Sequence, residues 1–152
     1  MLDIRFSSAL KAMLFLAVAA EDEPAVLSST YLAAGLGTNP SLIRKLLVPL
    51  LHAGLVESVK GRGGGTKLAR PAEEITLAEI YRCSIGDKPV WACRPDGEVA
   101  SCEVTANAAE YFTRLMTETE QAMLEVLERR TLADSVTELR QLGREPVCST
   151  EH

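Results

Sequence analysis

The sequence has few of the residues from which enzyme active sites are usually built. Its two histidines are His52 and His152, and neither lies near a recognisable nucleophile motif. Three glycines stand together at residues 63–65, but the flanking residues match neither a P-loop, which needs Gly-Lys-Ser/Thr, nor a dinucleotide fingerprint, which must open a helix. No pair of carboxylates marks an identifiable pocket. These absences predict that the protein is not an enzyme.

Long hydrophobic runs are also missing, because no stretch approaches the roughly 20 apolar residues of a membrane helix. Residues 1–20 resemble a signal peptide in ending on small residues, but Asp3 precedes the apolar run and Lys11 interrupts it. Apolar residues at positions 9, 13, 16, 17 and 20 follow helical spacing instead, which predicts an amphipathic first helix. We therefore expect a cytoplasmic protein with no membrane partner.

Acidic residues are nearly absent from one part of an otherwise acidic chain. The net charge is −5, but residues 39–70 hold six Lys or Arg and a single acid, Glu57. Residues 1–70 carry eight cations against five acids, a net charge of +3, and residues 71–152 carry eight against sixteen, a net charge of −8. A basic patch on an acidic protein is typical of proteins that bind phosphate backbones.

Two short helices are predicted at this patch. Residues 28–30 are N-cap types that open a helix ending near Gly35, after a short strand at 25–27. A turn at residues 35–37 leads to Asn39 and Pro40, which open a second helix by capping and by proline at its first position. The core stripe of that helix consists of Ile43, Leu46, Leu47 and Leu50.

The opposite face of the second helix carries Ser41, Arg44, Lys45, Val48 and His52. The two cations suit base edges or phosphates, whereas Ser41 and Asn39 are short enough for close contact. The alternative is a surface helix with solvated cations, but residues 55–59 and 66–69 predict a β-hairpin directly behind it. A plain flexible hairpin explains the glycines at its tip and leaves the cations Lys60 and Arg62 unexplained. A helix-turn-helix followed by a basic hairpin predicts a winged helix. The predicted DNA contacts are Ser28, Ser29, Asn39, Ser41, Arg44, Lys45, Lys60, Arg62, Gly63, Gly64 and Lys67.

The stretch LLHAGLVESVKGRGGGTKLARPAEEITLAEIYR, residues 50–82, resembles the Rrf2 family of bacterial winged-helix regulators, which includes the iron–sulphur cluster regulator and the nitric-oxide-sensing repressor. The segment TLADSV from residue 131 is also similar to the family's C-terminal part. This resemblance, over most of residues 4–136, implies a homodimeric transcriptional regulator of double-stranded DNA, usually a repressor. The family's recognition helix often begins Ser-Tyr, with Glu-Gln two residues on. Here Ser41 matches and Leu42 replaces the tyrosine, while Arg44-Lys45 replaces the acid and the amide. Arg and Lys favour guanine or phosphate over adenine.

A long helix is predicted over residues 104–129, which contain neither glycine nor proline. Its heptad-like apolar stripe consists of Ala108, Phe112, Leu115, Thr119, Ala122 and Val126. The stripe packs either on the first helix of its own chain or on a second copy, and the resemblance to a family of dimers favours the second. Thr131 and Asp134 then predict a capping box that opens a last helix to about Leu142.

The four cysteines, at positions 83, 93, 102 and 148, all lie outside the basic region. No CxxC pair is present, so a structural zinc site has little support and no metal ligands are assigned. In the cluster-binding relatives three cysteines lie in the loop before the dimer helix, and here only Cys93 and Cys102 do. We expect a thiol switch at these two residues, with Cys148 as a resolving thiol and no cofactor. The alternatives are an iron–sulphur cluster that takes Cys83 as a third ligand, or a small molecule bound near Trp91.

The predicted fold is mainly α with a small β-hairpin wing. We expect a winged helix-turn-helix domain over residues 1–80, a cysteine-containing sensor loop over 81–103, a dimerisation helix and C-terminal helix over 104–142, and a flexible tail over 143–152. The predicted function is a dimeric, sequence-specific DNA-binding repressor switched by thiol oxidation. The alternatives from other classes are a protein-interaction module built on the long helix and a small-ligand-binding protein.

Overall fold

A computed structural model describes residues 3–22, 26–92 and 102–144. In chain order these form α1 (Arg5–Ala19), α2 (Ser29–Leu36), α3 (Pro40–His52), β1 (Val56–Val59), β2 (Gly65–Leu68), a short 3-10 helix (Ala72–Glu74), α4 (Leu77–Ile85), α5 (Glu103–Glu128) and α6 (Leu132–Leu142). The architecture is mainly helical with one antiparallel hairpin in the described ranges, which confirms the predicted fold class. None of the described helices is long and apolar enough to cross a membrane.

The first helix, α1, lies at the centre of the hydrophobic core. Its buried side chains are Ala9, Ala12, Met13, Leu16 and Ala17, at the predicted helical spacing. Because several of them are small, α4 and α6 can pack closely against α1. The largest buried side chains from the other elements are Leu32, Ile43, Leu50, Leu55, Ile75, Ile80 and Leu132. The C-terminal helix α6 therefore packs against α1 and contributes Leu132 to the same hydrophobic core.

The helices α2 and α3 form the helix-turn-helix. Ser28 caps α2 by accepting a hydrogen bond from the backbone N–H of Tyr31 at 3.1 Å. The helix α2 continues to Leu36, so Gly35 lies inside α2 and not in the turn as predicted. A Cβ at Gly35 would lie 2.5 Å from the ring of Phe15 on α1, which explains the glycine by close packing between helices.

The wing is a two-stranded antiparallel hairpin in which Glu57 pairs with Lys67. A third chain segment joins it, because Leu27 and Thr66 exchange backbone hydrogen bonds of 2.9 Å and 2.8 Å. The short strand predicted at residues 25–27 is thus an isolated bridge at Leu27 within the described residues. A Cβ at Gly65 would lie 2.2 Å from the carbonyl oxygen of Leu27. Glycine is therefore required at this position, because any side chain would prevent the wing from packing against the segment at Leu27.

The start of α4 is tied to the start of α6. Thr76 and Thr131 form an isolated bridge, and each opens its helix with a capping box, as predicted for Thr131. Leu132 N–H donates to Ile75 O at 2.8 Å, next to this bridge. The helix α4 extends to Ile85, so the first five residues of the expected sensor loop, 81–85, are helical.

The helix α5 has 26 residues, which corresponds to a length of about 39 Å. It packs mainly against α4, and none of its residues is buried. Its long apolar side chains remain exposed, with Val104 70%, Tyr111 61% and Phe112 43% accessible. The long helix is confirmed, and its apolar stripe is not covered by α1 of the same chain.

Candidate nucleic-acid interface

The exposed face of α3 is the first part of the candidate interface. Ile43, Leu47 and Leu50 are buried and hold the helix against the core. Arg44 and Lys45 lie on the solvent side and have no ion-pair partner among the described residues. Their positive charges are therefore available to an external anion or to acceptor atoms on base edges.

Two of the predicted DNA contacts also serve as helix caps. The Asn39 side-chain oxygen accepts a hydrogen bond from the backbone N–H of Leu42 at 3.0 Å, and Ser28 caps α2 in the same way. This capping explains why a short polar residue stands at each position. Asn39 still has its amide N–H₂ group as a donor. Ser41 is exposed on the first turn of α3, whereas Ser29, the first residue of α2, is half-buried.

The tip of the wing is the second part of the candidate interface. Lys60 and Arg62 are exposed, and neither forms an ion pair within the described part of the chain. Gly63 is exposed between them and the returning strand. Gly64 is half-buried, and a Cβ there would lie 2.2 Å from the carbonyl oxygen of Val59. The tip thus carries two cations without an ion-pair partner in the described ranges, on a tightly folded backbone.

Lys67 differs from the cations at the tip. Its ammonium lies 3.1 Å from a carboxylate oxygen of Glu57 on the neighbouring strand. This pair is partly exposed and its two charges cancel at long range. Lys67 therefore adds less to the positive potential of the wing than Lys60 or Arg62 does.

Arg70 also belongs to the basic stretch but has a structural role. Its guanidinium donates to a carboxylate oxygen of Glu79 at 2.9 Å, beside the capping box at Thr76. Burial of Glu79 opposes its ionisation, but the hydrogen bonds from the Thr76 backbone and the Arg70 guanidinium outweigh it and lower the pKa of Glu79. The pair links the end of the wing to α4.

The described cysteines stand in different environments. Cys83 lies on α4, half-buried against the hydrophobic core, and burial together with the Glu79 carboxylate raises the pKa of its thiol. Cys102 is exposed at the N-cap of α5. Cys93 and Cys148 lie outside the described residues. Among the described residues, no three His, Cys, Asp or Glu side chains are grouped closely enough to hold a metal ion.

Val48 is a surface residue on this interface to which the sequence assigned no contact. It is 45% exposed and lies four residues after Arg44, on the same face of α3. Its helical spacing from Ser41 and Arg44 indicates that it shares their face of α3. Leu42 is 51% exposed but lies at the edge of this face, where it lines a groove with Ile4.

Comparison with known proteins agrees with the winged-helix geometry. The family model described as Rrf2, iron-dependent transcriptional regulator, matches residues 2–138. A Mycobacterium tuberculosis protein named as an HTH-type transcriptional regulator is 35% identical over 128 residues, 83% of this chain and 74% of that protein.

Two solved structures are similar over nearly the whole chain. A transcriptional regulator from Lactobacillus plantarum has a TM-score of 0.75 at 25% identity and covers 92% of both chains. The oxidised form of Staphylococcus aureus CymR has a TM-score of 0.64 at 26% identity, over 90% of this chain and 95% of that one. The Mycobacterium tuberculosis and Lactobacillus plantarum proteins are both named as regulators of transcription. The chain belongs to the Rrf2 family of transcriptional regulators.

Proposed function

We propose that the protein is a cytoplasmic, homodimeric repressor that binds specific double-stranded DNA through α3 and the wing. One observation carries the proposal: on an acidic protein, α3 and the wing tip present four cations without acidic partners among the described residues. These cations are Arg44, Lys45, Lys60 and Arg62.

The two basic elements have different tasks in this proposal. The helix α3 enters the major groove, where Arg44 can donate two hydrogen bonds to the O6 and N7 atoms of guanine. The side chains of Ser41 and Asn39 are short, so they contact DNA atoms that lie close to the start of the helix. Lys60 and Arg62 on the wing neutralise phosphates or enter the minor groove, which strengthens binding to any sequence.

A gel shift with genomic DNA fragments tests DNA binding. We expect at least one fragment to be retained at physiological salt in the presence of excess unrelated DNA. If no fragment is retained specifically, the protein is not a sequence-specific regulator, and a protein-interaction role for α5 becomes the leading alternative. A retained fragment placed before a reporter gene then distinguishes repression from activation.

The exposed stripe of α5 supports the homodimer. Phe112, Leu115 and Val126 are between 37% and 48% exposed, and the described part of the chain does not cover them. A second copy of α5 would bury this stripe and set the distance between the two α3 helices. We expect Phe112→Glu to be monomeric in sedimentation and to lose specific DNA binding. Thr117→Glu, an exposed position on the other side of α5, is the matched control and should remain dimeric.

We further infer that oxidation of Cys102 changes DNA binding. Its thiol is exposed at the start of α5, whose other end is tied to α4 through Thr131 and Thr76. A peroxide would oxidise Cys102 and a second thiol to a disulfide and would itself be reduced to two waters, taking up two electrons and two protons. The second thiol would be Cys93 or Cys148. A new crosslink at one end of α5, with the other end fixed, would alter the geometry of the dimer.

An iron–sulphur cluster is the second candidate for the signal, favoured by the description of the family as iron-dependent. The environment of Cys83 disfavours it as a third ligand, because its side chain packs against the core and burial raises the pKa of its thiol. Anaerobic purification followed by a visible spectrum decides between the two. A coloured protein with charge-transfer bands overturns the thiol switch. A colourless protein supports it if peroxide and dithiothreitol change DNA binding reversibly, Cys102→Ser abolishes the change, and the control Cys83→Ser retains it. If Cys→Ser variants at all four positions respond like the parent, both redox hypotheses fail and a ligand near Trp91 becomes the leading alternative.

A further inference from the structure

The side chain of Val48 lies in the middle of the exposed face of α3. It follows Ser41 by seven residues, Arg44 by four and Lys45 by three, so these side chains share one side of the helix. Val48 is 45% exposed, although it stands next to the buried Leu47. The helix therefore presents a branched aliphatic group among cations, on the face that is proposed to enter the major groove.

The surroundings of Val48 indicate the chemistry of its partner. Lys45, within one helical turn of Val48, disfavours an apolar protein surface, because lysine is depleted from protein interfaces. The major groove of DNA presents one apolar group among its polar base edges, the 5-methyl group of thymine. A valine in a helix has one strongly preferred χ1 rotamer, so little rotamer entropy is lost when it contacts that methyl group.

We propose that Val48 determines specificity by contacting the 5-methyl group of a thymine in the operator. This inference rests on the proposed function and identifies one further base that α3 contacts in the operator. Residues 44 and 48 are about 6 Å apart along the helix axis, and base pairs are spaced about 3.4 Å apart. The thymine contacted by Val48 therefore lies about two base pairs from the guanine that Arg44 contacts.

The methyl group can be removed from the DNA without any other change to the base edges. Replacing thymine by deoxyuridine deletes only the 5-methyl group. Loss of one buried methyl weakens binding about fourfold, so the same replacement in both half-sites weakens a dimer about 15-fold. In Val48→Ala the two methyl groups of the valine are gone, and the thymine and deoxyuridine operators should bind equally well.

Leu42→Ala is the matched control. Leu42 is 51% exposed on the same helix, but it lies away from Arg44 and lines the groove near Ile4. Both variants replace an exposed aliphatic residue by a good helix former, so both should fold. Leu42→Ala should retain the fourfold preference for thymine that Val48→Ala loses.

The experiment uses the full-length wild-type protein to select an operator from a random duplex library. Each thymine of the selected operator is then replaced by deoxyuridine, and the affinity of the three proteins is measured by fluorescence anisotropy. We expect one symmetry-related pair of thymines at which the wild type and Leu42→Ala lose about fourfold per half-site and Val48→Ala loses nothing. An operator with no such thymine, or a full thymine preference in Val48→Ala, overturns this inference alone. A library without any enriched sequence overturns the proposed function and this inference with it.

Discussion

Substituting alanine for Gly65 should separate the wing from the segment that precedes α2. The added Cβ would lie 2.2 Å from the oxygen and 2.6 Å from the carbon of the Leu27 carbonyl, so the backbone must move. The movement would break the two backbone hydrogen bonds between Leu27 and Thr66, each contributing about 1 kcal/mol. With the buried groups left unpaired, we expect Gly65→Ala to lower the free energy of unfolding by about 3 kcal/mol.

Thermal unfolding followed by circular dichroism measures this effect. In a chain of this length a loss of about 3 kcal/mol lowers the Tm by roughly 6–12 °C. Gly63→Ala is the control, because nothing lies within 4 Å of the added Cβ at Gly63 and only its φ of +77° is unfavourable. The control should lose about 1–2 kcal/mol, and its Leu27 and Thr66 amides should keep their protection from hydrogen exchange. Equal losses in the two variants, or full amide protection in Gly65→Ala, would refute the close-packing explanation.

Two further predictions concern the caps that tie α4 to α6. Hydrogen bonds lower the pKa of Glu79 against the opposing effect of burial, so its ionised form stabilises the fold above about pH 4.3 and this contribution is lost as the pH falls through the lowered pKa. In urea unfolding, Glu79→Gln should therefore be less stable than the wild type at pH 7 and approach it at acidic pH; a constant difference would contradict this. Thr131→Ala removes the cap of α6 and should cost about 1 kcal/mol, whereas Thr137→Ala, exposed on the same helix, should cost less.

Much of the architecture could be predicted because local signals specify it. The cap at Asn39 and the capping box at Thr131 each depend on residues within one helical turn. The predicted starts of α3 and α6 are confirmed for that reason. The long apolar stripe of α5 is likewise a pattern within a single segment, and the structure confirms the helix within one residue at each end.

The remaining features depend on contacts between distant residues. From the sequence, Gly35 is predicted to be a turn residue. The structure shows that it lies inside α2, where the ring of Phe15 leaves no room for a Cβ atom. Arg70 and Lys60 look alike in a basic stretch, yet Glu79 pairs with the first and no described acid pairs with the second. The position of Cys83 against the core also depends on tertiary packing, which the resemblance that made Cys83 a candidate third ligand does not reveal.

The salt dependence of DNA binding tests directly whether the wing contacts the phosphate backbone. The wild type and the variant with both Lys60→Ala and Arg62→Ala are titrated with operator and with random duplex over a range of salt concentrations, with Arg144→Ala as a control at an exposed cation outside α3 and the wing. Each lost phosphate contact reduces the slope of log K against log salt by about 0.9, so two contacts per protomer should flatten it by about 3.6 for a dimer. We expect this flattening on both DNAs for the wing variant and an unchanged slope for Arg144→Ala. An unchanged slope in the wing variant would contradict this expectation, because the wing would then not contact the phosphate backbone.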